Sequence, residues 1–146
     1  MAERGAIKVI RKTPTVDTSA YADADRLGSI MTFTGALGGI LGLRSGGIIR
    51  SVSVVLESGT AAPMTLHLFR SLPTIASADN AALDITDAQL TANWVGKADI
   101  VAANFEVMAA GAVGTLQGLN ICVDSSDGHL YGVLQAQGAI TFTAAE

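Results

Sequence analysis

Short strands broken by turn residues leave this chain few folds to choose from. From Met64 to Phe69 the side chains alternate, with Met64, Leu66 and Leu68 against Thr65, His67 and Phe69. That period of two marks a strand with unlike faces. The strand cannot run on through Arg70-Ser71-Leu72-Pro73, because Pro73 brings no N–H to a ladder. A polar excursion follows from Thr74 to Thr86, then a short helical turn with Thr86 or Asp87 as its N-cap. Trp94-Val95-Gly96 returns the chain toward a sheet. The stretch carries no reaction chemistry and reads as a strand plus a shaped surface loop.

Ile48 to Glu57 repeats the alternation more strongly. Val52, Val54 and Leu56 share one side, and Ser51, Ser53 and Val55 the other. Ser58-Gly59-Thr60 turns the chain and Pro63 ends the loop, so this strand and Met64 to Phe69 are expected to form a hairpin. Leu27 to Phe33, Lys97 to Val101, Phe105 to Met108, Leu119 to Asp124, Leu130 to Leu134 and Ile140 to Thr143 read as further strands, with Val113 to Leu116 a weaker one. Asp124-Ser125-Ser126-Asp127-Gly128 is a second hairpin signal, since Asp-Gly supplies positive φ. Ile7 to Arg11 alternates weakly and reads as a first strand or as an arm that adds to a neighbour's sheet.

About eight to ten short strands, turn signals roughly every 8–12 residues and little helix predict an all-β antiparallel sandwich, jelly-roll-like, with a helical turn near 86–92. The expected division is a basic N-terminal arm over 1–14 and a single β-sandwich domain over 15–146, entered through an extended connector from Thr13 to Asp25. No internal repeat points to a solenoid or propeller.

Composition bears on what surrounds such a sandwich. Apolar residues are 49% of the chain and charged residues 15%, less charge than the surface of a free soluble monomer carries. Part of the apolar surface is therefore expected to be covered by partner subunits. Charge is also uneven. Arg4, Lys8, Arg11 and Lys12 stand against Glu3 alone in the first twelve residues, although the net charge is −4. One reading is a solvated terminus. The other is an arm that reaches an acidic protein surface. Nucleic acid is disfavoured, because no aromatic residues are interleaved with these charges.

Gly35 to Gly47, GALGGILGLRSGG, is glycine-rich yet keeps Leu37, Ile40, Leu41 and Leu43. It has neither the Lys-Ser/Thr ending of a phosphate loop nor the G-x-G-x-x-G spacing of a dinucleotide fingerprint. A loose connection and an apolar docking loop at a subunit interface are equally weighted readings.

Catalytic and metal patterns are missing. His67 and His129 are the two histidines, expected on an outward strand face and in an exposed turn, and no G-x-S-x-G elbow accompanies them. A Ser-His-Asp triad stays open on residue types alone. No spacing singles out a carboxylate pair. Asp124 and Asp127, or Asp79, Asn80 and Asp84, have calcium-type oxygens, but turn chemistry accounts for them. No cofactor motif is present. Cys122, the one cysteine, is expected to be buried between Ile121 and Val123. No apolar secretory region or bilayer-length apolar run appears in the sequence.

Leu66-His67-Leu68-Phe69, Pro73-Thr74, Ala78-Asp79-Asn80-Ala81-Ala82, Asp87, Val95-Gly96 and Leu130-Tyr131-Gly132-Val133-Leu134 together resemble a pattern in small tailed-phage virion proteins. The resemblance implies a β-sandwich structural protein of the particle, a head decoration or cement protein that assembles as a homotrimer on the major capsid protein. It implies a place on the capsid exterior after synthesis in the bacterial cytoplasm, and no enzymatic activity. The resemblance covers about the last two thirds of the chain and gives the Gly35 to Gly47 loop no role. From charge and apolar content alone, Arg4, Lys8, Arg11 and Lys12 are expected to meet the capsid, and Leu37, Ile40, Leu41 and Leu43 a neighbouring subunit. A tail or fibre component, or a sugar-binding sandwich using Trp94, Tyr21 or Tyr131, is the alternative, and a hydrolase is a more distant one.

Overall fold

The structure, a computed structural model, describes residues 7–37, 45–125 and 127–142. Alternation writes most of its elements. Strand β1 is Arg26–Phe33, β2 Ser45–Leu56, β3 Met64–Phe69, β4 Trp94–Ile100, β5 Phe105–Met108, β6 Gly111–Ser125 and β7 Leu130–Ala136. They form two antiparallel sheets, one in the order β1-β7-β3-β4 and the other β2-β6-β5. The all-β sandwich expected above is what the chain adopts.

The two sheets meet through the faces that the alternation predicts. Met64, Leu66, Leu68, Ala98, Ile100, Leu134 and Ala136 face inward from the first sheet. They pack in one core with Leu56, Ala112 and Val123 of the second, and Val52 and Val54 lie against it. The approach is close enough to demand glycine at one rung. A Cβ on Gly114 would sit 2.7 Å from the Phe105 ring and 3.0 Å from Ile100 Cγ2.

Connections depart from expectation at both predicted hairpins. β2 and β3 lie in different sheets, and so do β6 and β7. Turn residues at 58–63 and at 127–128 pass the chain across the core instead of closing a ladder. β1 pairs with β7 and β2 with β6, so the first two strands and the last two wind around the core together, as in a jelly roll. Among the described residues there are seven strands: β6 is continuous where two runs were expected, and neither Ile7 to Arg11 nor Ile140 to Phe142 forms one. Gly118, at φ +74°, marks a bulge opposite Ile49–Ser51 that holds the two runs in one strand. Ile140 makes only a bridge to Tyr21, and Thr143 lies outside the described residues.

The excursion between β3 and β4 is more than a surface loop. Its helix, α1 (Asp87–Ala92), is capped by Thr86, whose side chain accepts from the Gln89 N–H. Before it, Ile75, Leu83 and Ile85 fold back over the outer face of the four-stranded sheet. There they pack on Phe69, Tyr131 and Val133 with Trp94 and Ile30, forming a second apolar cluster. Polar groups pin this cover to β1. Asp79 Oδ1 accepts from the Tyr21 hydroxyl (2.9 Å) and the Gly28 N–H (2.7 Å), and Arg26 donates to the Ser77 carbonyl. Asn80, at φ +57°, donates its N–H to the Arg26 carbonyl. Asp79 thus ties the loop to the sandwich through distant partners, where turn chemistry predicted bonds to its own backbone.

Candidate functional site

The covered face holds a ring of polar side chains below the apolar cluster. Thr65, His67, Lys97, Asp99 and Gln135 all point outward from β3, β4 and β7. Thr65 donates to Asp99 (2.8 Å), Lys97 pairs with Asp99 (2.8 Å), and Gln137 bonds to both Thr65 and Asp99. His67 Nε2 lies 3.0 Å from Gln135 Oε1. The Gln135 amide nitrogen donates to the Ala24 carbonyl, so its oxygen faces His67 and the ring carries its proton on Nε2. Nδ1 is then a buried lone pair without a partner. Burial, aided by nearby Lys97, pulls the imidazole below its ordinary value despite the Gln135 bond and Asp99. Partial burial works against the Asp99 carboxylate, but the bonds from Lys97 and Thr65 hold it low. Apart from His67 Nδ1, these groups satisfy one another and brace β3 against its neighbours.

The second histidine is tied elsewhere. His129 Nδ1 accepts from the Gly35 N–H at 3.2 Å. Ser125 donates directly to Asp127 (2.6 Å), which also accepts from the His129 N–H and the Tyr131 hydroxyl. The Ser125 hydroxyl, more than any other contact, lowers the Asp127 carboxyl to about 2. Serine, aspartate and histidine are therefore adjacent without forming a serine-to-imidazole relay; Asp127 organises the β6–β7 crossing. Asp124 pairs with Arg70 (3.2 Å). Among the described residues no three His, Cys, Asp or Glu side chains gather as metal ligands, and no helix is long and apolar enough to cross a membrane.

Two corrections bear on the surface. Cys122 is exposed: its neighbours face the core, so alternation turns Cys122 outward. Tyr21 and Tyr131 are buried, and neither presents a ring for stacking on a sugar. Burial and the Asp79 carboxylate push the Tyr21 hydroxyl up to about 12, against a bond from the Asp17 N–H.

Of the arm's basic residues, Lys8, Arg11 and Lys12 are exposed, and Arg4 lies outside the described residues. Lys8 donates to the Gly35 carbonyl, and Ile10 is half-buried. Ile7 is 98% exposed and Val9 77%. Ile7 to Arg11 forms no strand and makes no backbone hydrogen bond to other described residues. Of the loop aliphatics, Leu37 is buried in the chain's own core. Ile40, Leu41 and Leu43 lie outside the described residues.

Sequence reading missed the outer face of the three-stranded sheet. No described segment covers it as the excursion covers its counterpart. Its middle is polar, with Ser53 and Thr115 side by side at 3.3 Å. Its end is apolar. Val55 is 72% exposed and Met108 about half. Val55, Met108, Ala110, Gly111 and Val113 line a depression of about 300 Å³ with Glu57 at its rim. The signal was available: Val55 breaks the serine side of β2, an aliphatic where alternation calls for a polar residue. No protein-family model, curated protein or solved structure matches this chain.

Proposed function

We propose that this protein is a non-enzymatic structural component of a tailed-phage virion, a head decoration protein that binds and stabilises the capsid lattice in association with copies of itself. The observation that carries the reading is the pairing of an arm whose Ile7 and Val9 are almost bare with an apolar sheet end that no described segment covers. Such surface is expensive to leave in water, at roughly 25 cal/mol per Å², and a protein that works by being covered has a use for it. The side chains with reactive chemistry, His67, His129, Ser125 and Asp127, are engaged in bracing the sandwich.

On a repeated lattice each copy touches more than one capsid subunit, so parting those subunits means breaking the clamp too. Modest contacts then add through effective concentration, and Lys12 supplies charge complementarity to an acidic lattice. The test is to add the purified protein to heads assembled without it. Bound density on the shell and greater resistance of the heads to heating are expected. Heads that remain bare and equally fragile would refute the reading. Binding to tails or to a glycan array instead would favour the alternative of a tail-associated or sugar-binding protein.

A further inference from the structure

We infer that the solvent-facing side of one copy's arm docks in the depression at the end of the three-stranded sheet of a second copy, joining copies head to tail. This deepens the self-association part of the proposed function and rests on that part alone.

The acceptor is built in two rows. Val55, Val113 and Glu106 are ladder partners, so their side chains stand in a line on the outer face. Two rungs further, on the same face, Met108 pairs with Gly111, and Glu57 closes the row. Gly111 makes the floor, and a Cβ there would lie 2.8 Å from the Leu56 carbonyl. The result is an apolar trough between two carboxylates. It suits an extended segment carrying aliphatic side chains and a cation.

The arm has that composition on its free side. In an extended chain Ile7, Val9 and Arg11 point one way and Lys8 and Ile10 the other. Lys8 and Ile10 are the residues engaged with the arm's own domain, through the Gly35 carbonyl and through burial. Two bare aliphatics and a guanidinium face outward, spaced by roughly 7 Å. The rows of the trough have that same spacing, since Val55 and Glu57 are also two residues apart. Aliphatic meets aliphatic, and Arg11 meets Glu106 or Glu57.

A copy cannot fill its own trough with this arm in place. The arm runs beside β1, whose edge the excursion already holds at Arg26 and Gly28, with Thr15 near Gly28 and Lys8 near Gly35. Just beyond Gly35, Leu37 touches the start of β2, 3.1 Å from where a Gly47 Cβ would lie. Val55 is eight residues further along β2, roughly 25 Å away at strand rise. Donor and acceptor thus sit at opposite ends of the sandwich. A contact of this heterologous kind closes into a ring or grows as a chain, and closure into a ring reinforces contacts that are individually small.

Sedimentation velocity over a concentration series tests the inference. The 146-residue protein is expected to exceed the 14.9 kDa of a single chain. Val9→Asp and Val55→Asp, both at exposed positions, should each weaken association about tenfold or more, with circular dichroism and melting temperature unchanged. Arg11→Glu should weaken it less, and a mixture of Arg11→Glu copies with copies carrying Glu57→Arg and Glu106→Arg should recover it. A wild-type protein that stays single at every concentration overturns the inference, and so does assembly indifferent to both aspartates. Head binding by the same variants separates the two proposals. A single chain that still decorates heads sinks this contact alone. An arm-linked oligomer that ignores heads sinks the virion reading alone.

Discussion

The two outer sheet faces start alike and end differently. Each belongs to an antiparallel sheet whose inner side fills the core. On the four-stranded sheet, the segment between β3 and β4 folds back, and Phe69, Tyr131 and Val133 become a second buried cluster beneath Ile75, Leu83 and Ile85. On the three-stranded sheet, no described segment folds back, and Val55 and Met108 stay in solvent. Large side chains mark the outward positions of the first face. Ser51, Ser53 and Thr115 mark much of the second. A chain that covers one face with its own residues and leaves apolar side chains bare on the other has divided folding from association.

The sharpest way to break that contrast is to empty the covered face. Phe69 is fully buried, and Phe69→Ala should cost about 3–5 kcal/mol of unfolding free energy, read from urea melts. A cost below about 1 kcal/mol would mean that the excursion does not seal this face. Next is the anchor of the cover. Asp79→Ala leaves the Tyr21 hydroxyl and the Gly28 N–H without their acceptor and should cost about 1–3 kcal/mol. The loss should be accompanied by earlier proteolysis between 70 and 86, which unchanged protease resistance would contradict.

Acid should find the covered face too. The folded pKa of His67 is depressed, so below its ordinary value of 6.5 the unfolded chain binds a proton that the folded chain resists. Stability is therefore full above that pH and declines as pH falls toward the lower folded value. The positive Lys97 works in the same direction, whereas Asp99 and Gln135 oppose it. Asp127 adds a separate loss at lower pH, from its ordinary 3.8 down to about 2. His67→Gln should flatten the upper part of the profile and leave the lower part in place. An unchanged profile between pH 6.5 and the Asp127 range would show that burial of the imidazole does not matter to folding.

How much of this was legible follows from the range over which each signal acts. Alternation and capping are local, and Met64–Phe69 and the Thr86-capped turn stand where the residues put them. Sheet membership is not local. A turn sequence such as Asp127-Gly128 reverses the chain whether the next strand joins the same ladder or crosses the core, and here it crosses. The cover was hidden for a related reason. Leu83 and Ile85 alternate with exposed neighbours over too short a run to mark a strand, and Ile75 lies eight residues before them, so nothing in their spacing announces a shared partner in Phe69. Cys122 stands exposed where its apolar run suggests burial, because strict alternation between Ile121 and Val123 turns it outward. The depression around Gly111 drew no notice because its parts come from three strands, and only their register brings them together.

The smallest effect is the one that defines the uncovered face. Val55 stands on an outward rung beside Val113, 72% exposed. Replacing it with serine, the residue type at 51 and 53 on the same side, removes little that the fold uses. The expected change in unfolding free energy, measured at a concentration low enough for single chains, is within about 0.5 kcal/mol. Serine retains less strand preference than valine, which sets the direction as a slight loss. Should Val55→Ser cost as much as a core substitution in the isolated chain, the side chain would be serving the sandwich itself. The division between a face sealed by the chain and a face left for others would then fail where it is most exposed.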